Sequence, residues 1–123
     1  MSELRDEWVR KAEEDAAVAG WAAGAGHCDA ACVHAQQAVE KYLKALLVAE
    51  SKDFPKSHAL RTLFELTGMP EAEGDLDELR WLTRVAGEVR YPGEAATRET
   101  AGRAVEIMQR WRSRLRAALG FSG

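Results

Sequence analysis

The amino-acid sequence predicts an all-α protein, a four- to five-helix up-and-down bundle in which helices 1 and 2 form a long antiparallel hairpin. Apolar residues recur at helical spacing almost everywhere, and no stretch sustains the alternation of a strand. Glycine and proline fall where they divide the chain into about five helical segments. The 123 residues are 46% hydrophobic and 30% charged. That balance suits a single globular domain over residues 1–123, large enough to bury one core.

The first helix is expected from about Ser2 to Ala23, with an inward stripe of Leu4, Trp8, Ala12, Asp15, Ala19 and Ala22 at steps of three or four. Gly24-Ala25-Gly26 leaves only a short connection, so the second helix should fold back antiparallel. That second helix, about Asp29 to Glu50, shows the clearest signal. Cys28, Cys32, Ala35, Val39, Tyr42, Leu46 and Ala49 follow alternating steps of four and three, and Ala31, Ala38 and Ala45 widen this seam with small side chains. Ser57 is a candidate N-cap for a third helix holding Leu60, Leu63, Phe64 and Leu66, which stops at Gly68 and Pro70. Acidic residues 71–75 lead into a fourth helix with Leu76, Leu79, Leu82, Val85, Ala86 and Val89 on its apolar face. Pro92 ends it by pushing Tyr91 towards extended backbone. The fifth helix, about Ala95 to Leu119, turns Ala101, Ala104, Val105, Met108, Trp111, Leu115 and Leu119 inward.

No apolar run approaches the ~18 residues of a membrane span. The charged N-terminus lacks the apolar core of a signal peptide, so the expected location is cytoplasmic, with no membrane partner. Cys28 and Cys32 lie four apart on one helix face and are expected as buried thiols. His27 and His34 lie nearby, but His27 does not share that face and no second ligand pair follows, so no metal or other cofactor is expected. Net charge is −3, yet residues 101–123 carry five Arg against one Glu. Such a cluster guides an acidic partner or RNA, or simply forms a solvated helix face that suits the helix C-terminus.

Three polar features interrupt this plan. Asp15 stands in an apolar stripe, where a carboxylate needs partners or a place at the helix edge. Gln37, Lys41 and Lys44 line up along one side of the second helix, beside a row of Gln36, Glu40 and Lys44 in which Glu40 and Lys44 are a favourable pair; a solvated face would also account for them. Arg90-Tyr91-Pro92 sets a guanidinium and an aromatic ring at a helix end, a combination suited to a phosphate or base, although a helix C-terminus favours cations in any case. His58 would fall in the first turn of the third helix.

The run from Cys32 to Leu47, CVHAQQAVEKYLKALL, resembles the second-helix signature of bacterial HEPN proteins. Trp8, Ala12 and Asp15 are similar to that family's first helix, Phe54 to Leu60 to its Lys/Thr-His-x-Leu segment, and Arg90-Tyr91-Pro92 to its RYP turn. The resemblance covers about residues 8 to 110. It implies a helical bundle that forms a homodimer and often works beside a small nucleotidyltransferase, frequently as a toxin–antitoxin pair. Many members are metal-independent ribonucleases built on an arginine, four to six residues, then histidine. Here the positions five to seven residues before His27, His34 and His58 hold no arginine, and no histidine follows Arg90. No catalytic residue is therefore assigned, and the chain is expected not to be an enzyme of the family's usual kind.

The leading expectation is a non-catalytic module binding a nucleotide or RNA. Arg90, Tyr91, Lys41 and Gln37 would serve the ligand, Asp15 would orient a cation, and His58 would complete the candidate set. The alternatives are a variant ribonuclease using His58 or Arg90 with Asp15, and an interaction protein whose polar residues hold a dimer together.

Overall fold

The computed structural model describes residues 2–121, and among these it contains five helices. They are α1 (Glu3–Gly24), α2 (Cys28–Ala49), α3 (Leu60–Thr67), α4 (Asp75–Glu88) and α5 (Arg98–Ala118). The all-α class and the hairpin of α1 and α2 are as the sequence predicts. α2 is the axis of the molecule, because it packs against each of the other four helices.

Local chemistry sets the ends of these helices. The Ser2 side chain accepts from the Arg5 N–H and caps α1, and Thr97 does the same for α5 through the Thr100 N–H. At the end of α1, Gly26 adopts φ +83°, the His27 N–H donates to the Ala22 carbonyl and the Gly26 N–H to the Ala23 carbonyl. This is the Schellman arrangement, and it reverses the chain into α2. α2 ends in the same way, except that the left-handed residue is Ser51, φ +55°, with Lys52 donating to Leu47 and Ser51 to Val48.

Around α2, Val39, Tyr42, Leu43, Leu46 and Leu47 are buried against Leu60, Leu63, Leu79, Leu82, Met108 and Leu115. Each such aliphatic side chain contributes roughly 1.5–3 kcal/mol when fully buried. Trp111 meets Phe64 edge to face at 5.1 Å and 79°, joining α5 to α3.

Several expectations need correction. Leu4 and Ala49 are exposed, because they lie at the same open end of the hairpin, where the stripes outrun their neighbours. Leu66 is also exposed, on the outer side of the short α3. Leu43 and Leu47, outside the predicted seam, are fully buried, since α2 is enclosed on more sides than a two-helix seam requires. Gln36, Glu40 and Lys44 are buried rather than solvated for the same reason. Ser57 does not cap α3: its hydroxyl accepts from the Ala59 N–H, and the Leu60 N–H is taken by the Thr83 hydroxyl of α4. α3 thus begins after His58, which belongs to the preceding loop.

The arginines of residues 101–123 are not a free basic strip, although Arg103 and Arg110 remain exposed. Arg112 and Arg116 both bind Glu13 of α1, Arg110 binds Glu78 and Arg114 binds Asp75 of α4, while Arg103 lies 4.1 Å above the Trp81 ring. They clamp the bundle. The Cys32 thiol is buried and pushed up to about 11, chiefly by desolvation with Asp29 and Cys28 adding to it, and Cys28 is half-buried; both are free thiols.

Candidate functional site

α2 directs two rows of polar side chains towards its flanks, and each row ends on a carboxylate removed from water. On the α1 side, Asp15 receives the Lys41 ammonium at 2.5 Å on one oxygen and lies 2.8 Å from the His34 Nδ1 on the other. Asp15 is therefore a buried member of the stripe, held there by a salt bridge and a second charged or neutral hydrogen bond. On the other flank, Glu40 is 7% exposed at its side chain. The Lys44 ammonium donates to its Oε2 at 2.9 Å, while Gln36 Nε2 and His58 Nδ1 approach its Oε1 at 3.1 and 3.0 Å. Burial alone would raise the Glu40 carboxyl, but the hydrogen bonds from Lys44, His58 and Gln36 outweigh it and hold the group below the ordinary glutamate value. Glu40 is an anion at neutral pH.

This second hub reaches the surface through His58. Gln36 Nε2 also donates to the His58 carbonyl at 2.9 Å, so the residue is tethered to α2 through both backbone and ring. The ring itself remains 80% exposed. His58 and Gln36 form one wall of a groove whose other wall is Thr83, Ala86, Gly87 and Arg90 of α4 and its C-terminal turn. Ala86 and Gly87 are small and leave the groove open. The Thr83 hydroxyl donates to the Leu79 carbonyl as it accepts from Leu60, which fixes the loop carrying His58 against α4. Among the described residues Arg90 has no carboxylate partner, whereas most arginines of this chain do.

The HEPN domain family model matches residues 6–117. The chain belongs to the HEPN domain family. Two solved structures share its fold along nearly the whole length. TT1696 from Thermus thermophilus superposes with a TM-score of 0.80 at 22% identity, covering 95% of this chain and 99% of that one. ST0689, described as an archaeal HEPN homologue, gives 0.75 at 21% identity, covering 95% and 98%. No curated protein matches the chain. Among the described residues no helix is long and apolar enough to cross a membrane.

Within this HEPN fold four of the six candidate residues fall into two places. Asp15 and Lys41 meet each other across α1 and α2, so the cation that Asp15 engages is Lys41 itself. His58 and Arg90 share the groove beside α4. Tyr91 is 70% exposed at the turn that follows Arg90, and Gln37 is half-buried on α2 between the two hubs; neither lines the groove. The tethers of His58, namely Glu40 and Gln36, are absent from the sequence-derived set, as are His34 and Thr83. Adjacent glutamines followed by a Glu–Lys pair are a signal for the first two. Nothing in the spacing shows that a loop eighteen residues downstream closes over them.

Proposed function

We propose that this HEPN domain is a nucleotide- or RNA-binding module whose ligand phosphate is taken in the groove between His58 and Arg90. One observation supports the reading above all others: an arginine without an acidic partner lines the same groove as an exposed histidine ordered by a buried carboxylate. A guanidinium offers paired donors to phosphate oxygens, and the exposed Tyr91 ring next to it is a surface on which a base can stack. In this reading Lys41 and Asp15 keep α1 against α2, and Gln37 lies at the margin of the ligand surface.

Filter binding of labelled RNA and of a nucleoside monophosphate tests the proposal, without added metal. Arg90→Ala is expected to weaken binding about ten- to a hundredfold, the equivalent of losing one charged hydrogen-bonding group of about 1.5–3 kcal/mol. Unchanged affinity in that variant would refute the assignment.

A variant metal-independent ribonuclease is the second reading, and it rests on the His58–Glu40 pair. With an anion on Nδ1, the Nε2 of His58 is left to act as a proton acceptor beside Arg90. Cleavage of the same RNA by wild type, lost in His58→Ala, would favour this reading over binding alone.

The homodimer and the small nucleotidyltransferase partner belong to the same proposal, as does a toxin–antitoxin role. Leu4 and Trp21 are exposed apolar side chains near opposite ends of α1, with Trp21 66% exposed, and each offers a second chain a separate apolar contact. Sedimentation equilibrium reads the dimer directly, and a monomer at all concentrations would remove it from the proposal.

A further inference from the structure

We propose that Glu40 is a positioning residue for His58, and that His58 and Arg90 together select a terminal phosphate monoester over an internal phosphodiester. This rests on the reading of the groove as a phosphate site and adds to it the class of phosphate.

The His58 side chain is 80% exposed, while that of the carboxylate holding it is 7% exposed. The loop is already fixed without the ring, since Gln36 binds the His58 carbonyl and Thr83 binds the Leu60 N–H. The ring contact therefore orders a group that faces solvent. Because Glu40 is ionised, Nδ1 carries its proton towards Oε1, and Nε2 is the nitrogen turned away from the protein. Glu40 is held in turn by Lys44, whose ammonium lies 5.5 and 5.7 Å from the ring centroids of Trp8 and Phe54, so the carboxylate has little freedom to turn.

A ligand phosphate in this groove thus meets the Arg90 guanidinium from one wall and an imidazole Nε2 from the other. With its Nδ1 proton on Glu40, the ring presents Nε2 as an acceptor, which the P–OH of a monoester can meet and a phosphodiester, having no such proton, cannot. A phosphodiester carries one negative charge and two of its oxygens are esterified. A terminal monoester has three free oxygens, one of which can carry a proton near neutral pH, so it can engage the Arg90 donors and His58 Nε2 at once.

The test compares a short RNA bearing a 5′-phosphate with the same RNA bearing a 5′-hydroxyl, in wild type, Arg90→Ala, His58→Ala and Glu40→Gln, with inorganic phosphate and AMP as competitors. Wild type should prefer the phosphorylated strand by about tenfold or more, the worth of one additional charged hydrogen bond. His58→Ala and Glu40→Gln should bring the two strands within about twofold of each other, and Arg90→Ala should weaken both. His58→Ala removes an exposed ring and keeps the test independent of whether Glu40→Gln folds. The readout that a merely structural role would not move is the ratio of the two affinities in folded Glu40→Gln, and two-bond ¹⁵N–¹H spectra report whether its ring has lost the Nδ1–H tautomer of wild type. Competition by AMP as strong as by the phosphorylated strand would place the monoester on a mononucleotide and still support the proposal. Equal binding of both strands by wild type, with loss in Arg90→Ala, would overturn the selectivity and leave the phosphate groove standing. No binding of either strand, of AMP or of phosphate would overturn both.

Discussion

At Asp15 the free energy of taking a carboxylate out of water is offset by Lys41 and His34, and at Glu40 by Lys44, Gln36 and His58. Glu13 is a third case: burial raises it, yet the hydrogen bonds of Arg112, Tyr42 and Arg116 bring it below the ordinary value. The Tyr42 hydroxyl beside it is pushed upward by burial and by Glu13, and stays protonated. Glutamates with lowered folded-state values contribute stability that is complete above the ordinary value near 4.5 and is lost as pH falls through the folded value. Thermal melts from about pH 6 to pH 3 should therefore show an acid limb, and Glu40→Gln should flatten it while lowering stability at neutral pH. An acid limb of the same steepness in that variant would mean that Glu40 is not a source of it. The sequence shows Asp15 as an anomaly because its neighbours in the stripe are apolar. It does not show Glu40 in this way, because a polar row on α2 reads equally as a solvated face until the loop at His58 is seen to cover it.

At the scale of the element, the ends of α1 and α2 differ in how openly they are written. Gly26 announces the end of α1, since glycine enters the left-handed region without a Cβ penalty. Ser51 performs the same task at φ +55° with a side chain that makes the conformation costly. Ser51→Gly should raise stability by about 0.5–1 kcal/mol in urea unfolding: relief of about 1–2 kcal/mol of left-handed strain, less the entropy that glycine loses on folding. A lowered midpoint would show that the Ser51 side chain makes an interaction that outweighs the strain. The start of α3 departs from expectation for a related reason. Ser57 has the right chemistry for a cap, but the hydroxyl that meets Leu60 comes from Thr83, on another helix.

For the whole molecule, the central position of α2 explains why so many of its residues are buried and why both polar hubs lie on its flanks. α5 closes the bundle twice over, through Trp111 on Phe64 and through arginines that bind carboxylates of α1 and α4. Trp111→Ala should cost about 3–5 kcal/mol, a large part of the roughly 5–15 kcal/mol by which domains of this size are stable. Urea unfolding measures it, and a loss under about 1 kcal/mol would mean that α5 packs independently of that ring.

The sequence by itself determined the all-α class, the hairpin, the order of the helices and most inward faces, because a 3.6-residue period and the conformational needs of glycine and proline are local properties. It also carried the motifs that resemble the family. Only the tertiary structure decided which polar residues are buried, that the C-terminal arginines are bound within the bundle, and that His58 and Arg90, thirty-two positions apart, line one groove. Those facts depend on contacts between distant elements. Burial and pairing of a charge follow from what the rest of the chain lays against it, and the spacing within one helix does not contain that information.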